Sequence, residues 1–172
     1  MASVTASVAQ QDRLRIVTTT ADLRSLAKAV GAEQVNVSSL VEPGITVEEY
    51  QPKLHDVEIL KTAQVVVRTA PAIDPWFDKL LSRVATKYLN PAIERGQPGH
   101  IDASLAVAAN DPLSVSAGFA RGRRASRGGP SPHYWLDPKS AEAITANMVE
   151  VFSKFDSKNA KYYENNRKTF LS

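Results

Sequence analysis

The sequence has no cysteine among its 172 residues. This excludes disulfide bonds, thiolate metal sites, cysteine nucleophiles and a lipid-modified cysteine within the stretch. Also absent are a glycine-rich phosphate loop and a nucleophile elbow, the motifs that would indicate an enzyme built on an α/β scaffold. No apolar run is long enough to span a bilayer. These absences favour a binding protein over a catalyst.

The composition is that of an ordinary soluble domain. Hydrophobic residues make up 43% and charged residues 23%, and the length is enough for one sizeable core. The net charge of +3 is too small to imply nucleic acid. Four arginines fall within residues 121–127, but without interleaved aromatic residues. We therefore interpret this stretch as a flexible, solvated insertion and expect no nucleic-acid partner.

The first 13 residues indicate a leader outside the folded core. They are small and polar, with no basic start and no apolar centre, so no signal peptide is present in this sequence. Ser7-Val8-Ala9 is nevertheless typical of the small-residue end of a secretion signal. A disordered leader and the remnant of a signal region are both compatible with this composition.

Residues 14–103 alternate between strand and helix patterns. Short runs rich in β-branched residues predict strands at 14–18, 35–41, 64–69 and 99–103. Apolar residues at helical spacing predict helices at 22–30, 56–63 and 75–88. Parallel strands need such crossovers, so we expect an α/β lobe with a mostly parallel four-stranded sheet flanked by helices. Its ligand rim should lie beyond the carboxyl ends of the strands, at loops 18–21, 41–52 and 69–75.

The stretch Pro132-His133-Tyr134-Trp135-Leu136-Asp137-Pro138 joins the arginine-rich insertion to a helical pattern. Asp137 is a favoured N-cap and Pro138 suits the first helical position. His133 lies four residues before that cap, between Pro132 and two aromatic residues, a setting that suits a metal ligand or an acid–base group. The alternative is a structural loop histidine bonded to a backbone carbonyl.

Two helices are predicted after this stretch. The first has Ile144, Met148, Val151, Phe152 and Phe155 on one face, and the second has Ala160, Tyr163 and Phe170 as inward candidates.

Several motifs resemble one family. His133-x-Trp135-Leu136-Asp137-Pro138 is joined, in order along the chain, by stretches at 16–23, 41–44, 49–52, 74–81 and 155–164. Together they resemble the N-terminal lobe and linking helix of the metal-binding substrate-binding proteins of zinc and manganese ABC importers. The likeness runs from 14 to 172 with a break at 107–130. It implies a Rossmann-like lobe followed by a long C-terminal connecting helix, with His133 as a direct metal ligand.

One position departs from the family pattern Pro-Gly-x-Asp-Pro-His-x-Tyr-x-Pro. Residues 43–52 read Pro-Gly-Ile-Thr-Val-Glu-Glu-Tyr-Gln-Pro, so Glu48 stands where the family has a ligand histidine. A carboxylate can still bind a divalent ion, and one histidine with carboxylates is compatible with manganese, iron or zinc, so ligand type alone does not select the metal. The alternative is that Glu48 is a solvated charge and the chain is a metal-independent interaction module on the same scaffold. Glu49 is one residue away and could compete for the role.

The resemblance also implies an organisation and partners. It divides the chain into a leader at 1–13, a metal-binding lobe at 14–137 with a flexible insertion at about 108–130, and a helical segment at 138–172. That segment would lead toward a second lobe that is missing from the sequence. The implied partner is the membrane permease of an ABC importer, on the periplasmic or extracellular side. With only His133 and Glu48 as ligands, this chain alone should hold metal weakly, and its uncovered surface favours self-association.

Overall fold

A computed structural model describes residues 13–88, 90–110 and 134–172. Its strands are β1 (Leu14–Thr18), β2 (Val35–Ser39), β3 (Val65–Arg68) and β4 (His100–Asp102). Its helices are α1 (Ala21–Gly31), α2 (Leu54–Lys61), α3 (Pro75–Tyr88), α4 (Ala103–Asn110), α5 (Pro138–Phe155) and α6 (Ala160–Phe170). The four strands are all parallel, in the order β2-β1-β3-β4. The predicted α/β lobe is confirmed, and α4 is an element that the sequence patterns did not indicate.

The core forms where the central strands are covered by helices. Val65, Val66 and Val67 of β3 are fully buried, as expected for a parallel strand that is covered on both faces. Helix α1 packs against α5 and α6, while α2 packs against α3. Because all four strands are parallel, their carboxyl ends lie along one rim of the sheet, where the sequence analysis placed the ligand loops.

Side-chain caps fix the starts of two helices near that rim. The Thr20 hydroxyl accepts a hydrogen bond from the Leu23 amide at the start of α1. At the start of α5 the Asp137 carboxylate accepts one from the Ser140 amide at 3.2 Å, with Pro138 in the first turn. The N-cap predicted at Asp137 is confirmed. These caps satisfy amides that have no partner within the helix.

The first of the two C-terminal helices behaves as its periodicity predicts. Ile144, Met148 and Phe152 of α5 are fully buried, Val151 is buried, and Phe155 is half-buried.

In the second, Tyr163 is fully buried, but Phe170 is 43% exposed, so its predicted inward position is wrong. The reason is that Phe170 is the last residue of α6. The bonds from this helix to neighbouring elements lie one turn earlier, where Asn166 donates to the Val30 carbonyl and Arg167 donates to the Glu142 carbonyl.

A buried ion pair closes the end of β3. Arg68 and Asp74 are both fully buried. The guanidinium donates to Asp74 Oδ1 from Nε at 2.8 Å and from Nη2 at 2.6 Å, and also to the Asp74 carbonyl at 2.8 Å. Its remaining nitrogen, Nη1, bonds the half-exposed carboxylate of Asp78. A buried charge is costly unless it is paired and hydrogen-bonded, and here each guanidinium nitrogen has a partner.

Removing one partner of this pair should destabilise the fold strongly. We expect Asp74→Ala to lower the free energy of unfolding by about 3–5 kcal/mol, because it leaves Arg68 buried without its main counter-charge. Urea unfolding followed by circular dichroism measures this.

The control is Lys154→Ala, which breaks the exposed pair between Lys154 and Glu150 at 2.7 Å. It should change the free energy of unfolding by less than about 1 kcal/mol. Equal effects for the two variants would contradict a structural role for the buried pair.

His100 is a structural histidine at the start of β4. Its Nδ1 lies 3.0 Å from the Ile93 carbonyl oxygen, and its Nε2 is buried without a hydrogen-bond partner in the part of the chain that the structure describes. Burial lowers the pKa of His100, because the imidazolium would lose its hydration, and nearby Arg68 lowers it further. His55, the other described histidine, is exposed at the start of α2.

The lowered pKa of His100 makes the fold sensitive to acid. The unfolded chain takes up the proton more readily, so the free energy of unfolding should decrease as the pH falls below about 6.5, the ordinary pKa of histidine. In His100→Asn this decrease should be smaller, since an amide can still donate to Ile93 but does not titrate. Urea unfolding at about pH 7.5 and about pH 5.5 measures the difference. His55→Asn is the matched control and should keep the wild-type pH dependence.

Candidate metal-binding cavity

An open cavity of about 820 Å³ lies at the carboxyl ends of β1 and β2. Its walls are the start of α1, the loop that follows β2, and Trp135 from the stretch before α5. Two of the three loops predicted at the rim, 18–21 and 41–52, contribute to this lining, whereas loop 69–75 does not. The cavity brings the loop after β2 together with Trp135, which lies about ninety residues later in the sequence.

The loop after β2 carries Glu48 to the cavity wall. It begins with a tight turn in which the Ile45 amide donates to the Glu42 carbonyl at 3.2 Å. Pro43 and Gly44 occupy the corner, and Gly44 has φ = 85°, the left-handed value that this type of turn requires. A short helical turn, Val47–Glu49, follows. Glu48 is exposed and lines the cavity, whereas Glu49 is exposed outside its lining.

Residues on either side of Glu48 are anchored to the body of the lobe. The Trp76 indole N–H donates to the Val47 carbonyl at 2.8 Å, and the Tyr50 ring packs on Trp76 with centroids 4.9 Å apart. The Tyr50 hydroxyl donates to Asp56 at 2.9 Å. Burial raises the pKa of Tyr50, and the Asp56 carboxylate raises it further, so this hydroxyl stays protonated.

The other wall comes from the stretch with the histidine motif. His133 and the arginine-rich insertion lie outside the described residues, so the structure does not place the predicted ligand. The turn Tyr134–Leu136, which follows it in the sequence, is described and is anchored twice. The Tyr134 hydroxyl donates to the Thr69 carbonyl at the end of β3, and the Trp135 indole donates to Asp22 Oδ2 at 3.2 Å. Burial raises the pKa of Tyr134, with help from Asp102 and Asp74, so its hydroxyl remains a donor.

Both carboxylates and a cation line the described part of the cavity. Asp22, Glu42 and Glu48 contribute the carboxylates and Arg24 the positive charge. Nevertheless, within residues 13–88, 90–110 and 134–172 no three histidine, cysteine, aspartate or glutamate side chains come together as a metal site. The described wall therefore offers oxygen donors to a cation but does not by itself enclose one.

Sequence reasoning missed two contributors to this geometry. The bond between Asp22 and Trp135 joins residues 113 positions apart, and nothing local indicates it. The pairing of Arg68 did leave a signal. Its arginine ends a strand of three valines, and a charge in a buried strand needs a partner such as Asp74, six residues later.

Comparison with known proteins identifies the family. Residues 16–172 match the family described as zinc-uptake complex component A, periplasmic (ZnuA). The chain belongs to the ZnuA family. The resemblance drawn from the motifs is thereby confirmed over nearly the whole chain.

Curated relatives of this ZnuA-family chain are named for different metals. A putative metal-binding protein of Treponema pallidum is 23% identical over 164 residues, which cover 95% of this chain and 50% of that protein. The iron ABC transporter substrate-binding lipoprotein MtsA of Streptococcus pyogenes is 25% identical, covering 95% and 49%. The manganese ABC transporter substrate-binding lipoprotein PsaA of Streptococcus pneumoniae is 25% identical, covering 94% and 48%. The chain thus spans about half the length of these relatives.

Solved structures share the fold. Zn(II)-bound AdcA from Streptococcus pneumoniae superposes with a TM-score of 0.67 and 21% identity, covering 92% of this chain and 30% of that one. The metal-dependent lipoprotein YcdH from Bacillus subtilis gives 0.65 and 20%, covering 92% and 51%. In the described part of the ZnuA-family chain, no helix is both long and apolar enough to cross a bilayer.

Proposed function

We propose that this chain is the metal-binding lobe of the extracytoplasmic substrate-binding component of an ABC importer. It captures a divalent cation, zinc or manganese, and passes it to a membrane permease without catalysing a reaction. The observation that carries the proposal is the position of Glu48. Glu48 stands where the family pattern has a ligand histidine. Its side chain lines the same cavity as Trp135, which follows His133 by two residues in the sequence.

The proposed ligands are His133 and Glu48. The anchoring of their neighbours supports this assignment. Val47 is bonded to Trp76 on one side of the cavity, and Tyr134 and Trp135 are bonded to Thr69 and Asp22 on the other. Both segments thus have a fixed relation to the same sheet rim.

A site with two protein donors is incomplete. Metal sites in proteins usually have at least four donors, so an ion held only by His133 and Glu48 keeps most of its water. The relatives are about twice as long as this chain, which leaves room in them for a second lobe that supplies the remaining donors. We therefore propose that the isolated chain binds metal weakly. Self-association of its uncovered surfaces stays a prediction.

Titration calorimetry with Mn²⁺ and Zn²⁺ tests the proposed ligands. Wild-type protein should bind one ion weakly. His133→Ala and Glu48→Ala should each weaken binding by about tenfold or more, because each removes one of only two protein donors.

Glu49→Ala is the matched control, since Glu49 neighbours Glu48 but does not line the cavity, and it should bind like wild type. Unchanged affinity in both ligand variants would exclude His133 and Glu48 as the ligands, and absence of binding in wild type would favour the metal-independent interaction module. A tight one-to-one isotherm for the wild-type monomer would contradict an incomplete site.

The donor set also bears on which metal is preferred. Glu48, the proposed ligand on the described wall, offers oxygen to the cation where the family pattern has an imidazole nitrogen. Carboxylate and hydroxyl oxygens suit manganese, whereas imidazole nitrogen favours zinc more strongly. The substitution of histidine by Glu48 therefore moves the site toward manganese relative to the usual family pattern.

Restoring the histidine should shift this balance. We expect Glu48→His to raise the affinity for Zn²⁺ relative to Mn²⁺ by on the order of tenfold, because a nitrogen donor replaces an oxygen. Parallel titrations with the two ions give the ratio. Glu49→His adds an imidazole one residue away, outside the cavity lining, and should leave the ratio unchanged. An equal shift in both variants would mean that position 48 does not contact the ion.

A further inference from the structure

We propose that Trp76 is a positioning residue for Glu48, and that its indole N–H sets the backbone from which the carboxylate reaches a bound cation. The inference rests on the proposed function, because it requires Glu48 to be a ligand. It assigns a second task to a side chain that also packs between Tyr50 and Phe77.

The turn that carries Glu48 is weakly held by its own hydrogen bonds. The Glu49 amide lies 3.3 Å from the Thr46 carbonyl, and the Tyr50 amide lies 3.4 Å from the Val47 carbonyl. Thr46 provides no side-chain cap, and Glu48 itself is exposed. Such long bonds are weaker than the usual 2.9–3.0 Å. Among the contacts of this turn, the bond from Trp76 Nε1 to the Val47 carbonyl, at 2.8 Å, is the short one.

The indole that makes this bond is itself rigidly placed. Its ring packs between Tyr50, with centroids 4.9 Å apart, and Phe77, with centroids 5.6 Å apart in an edge-to-face arrangement. Phe77 is fully buried, and its amide donates to the Asp74 carbonyl at 3.0 Å. Asp74 in turn is held by Arg68 in the buried ion pair. The Trp76 indole is therefore connected, through Phe77, to the buried pair of Asp74 and Arg68.

Fixing the Val47 carbonyl fixes the peptide plane that joins Val47 to Glu48. The carboxylate then searches fewer conformations before it meets a cation, so less entropy is lost when the ion binds. In a site with few protein donors, this pre-organisation of one donor has a large share in the affinity.

A double-mutant cycle separates positioning from general support. Mn²⁺ affinity is measured by calorimetry in wild type, Trp76→Phe, Glu48→Ala and the double variant. Phenylalanine keeps an aromatic ring against Tyr50 and Phe77 but cannot donate. We expect Trp76→Phe to weaken binding about threefold to tenfold, as for the loss of one hydrogen bond, and to have no further effect once Glu48 is alanine.

Tyr163→Phe is the matched control. It removes the hydrogen bond from the Tyr163 hydroxyl to Asp156, away from the cavity lining, so it should keep wild-type affinity. Thermal unfolding of the metal-free proteins checks that all variants are folded.

The outcomes distinguish the two ideas. Two results would overturn the positioning role and leave the proposed function intact. In the first, Trp76→Phe weakens Mn²⁺ binding equally with and without Glu48. In the second, Glu48→Ala weakens binding but Trp76→Phe does not. Absence of Mn²⁺ and Zn²⁺ binding in wild type overturns the proposed function itself. Full binding without Glu48 overturns the ligand role on which this inference rests.

Discussion

The buried ion pair of Arg68 and Asp74 is the interaction on which the cavity depends. Asp74 Oδ2 accepts hydrogen bonds from the amide and the hydroxyl of Thr69, at 2.9 and 2.7 Å, and the Thr69 carbonyl accepts one from Tyr134. The Asp74 carbonyl accepts a hydrogen bond from the amide of Phe77, the residue that follows Trp76 in the sequence. One ion pair thus supports the histidine-motif wall through Thr69 and the Glu48 wall through Trp76. Its place at the end of a central parallel strand makes this possible, because loops from both sides meet there.

Such a pair contributes more to geometry than to stability. Desolvating two charges costs several kcal/mol, and well-packed apolar residues often serve stability as well or better. What an apolar pair cannot provide is direction. The planar guanidinium holds Asp74 through Nε and Nη2, and both carboxylate oxygens of Asp74 are used, Oδ1 by Arg68 and Oδ2 by Thr69. These directed bonds restrict the conformations open to the loop after β3, which suits a rim that is proposed to hold a metal ion.

The sequence predicted the frame of this lobe well, because the frame follows from local patterns. The bounds of β1 and α3, the parallel sheet and the Asp137 cap all follow from periodicity, β-branched runs and capping chemistry over a few residues. The cavity contacts could not be read in this way, because bonds such as Trp135 to Asp22 join side chains that are remote in sequence. The predicted inward position of Phe170 was wrong for a related reason. Helical periodicity assigns a residue to a face of the helix but does not show how far the core extends along that face. The pairing of His133 with Glu48 remains a prediction, because His133 lies outside the described residues.

Support for position 48 does not depend on the side chain at that position. Trp76 bonds the backbone of Val47, and Tyr50 is held by Asp56 and by the Trp76 ring, so both anchors act on the neighbours of Glu48 rather than on its carboxylate. The residue at position 48 can therefore change from histidine to glutamate without loss of the bonds that hold its loop. The match of residues 16–172 to the ZnuA family reports this frame, and it leaves the side chain that the loop presents to the cavity free to differ.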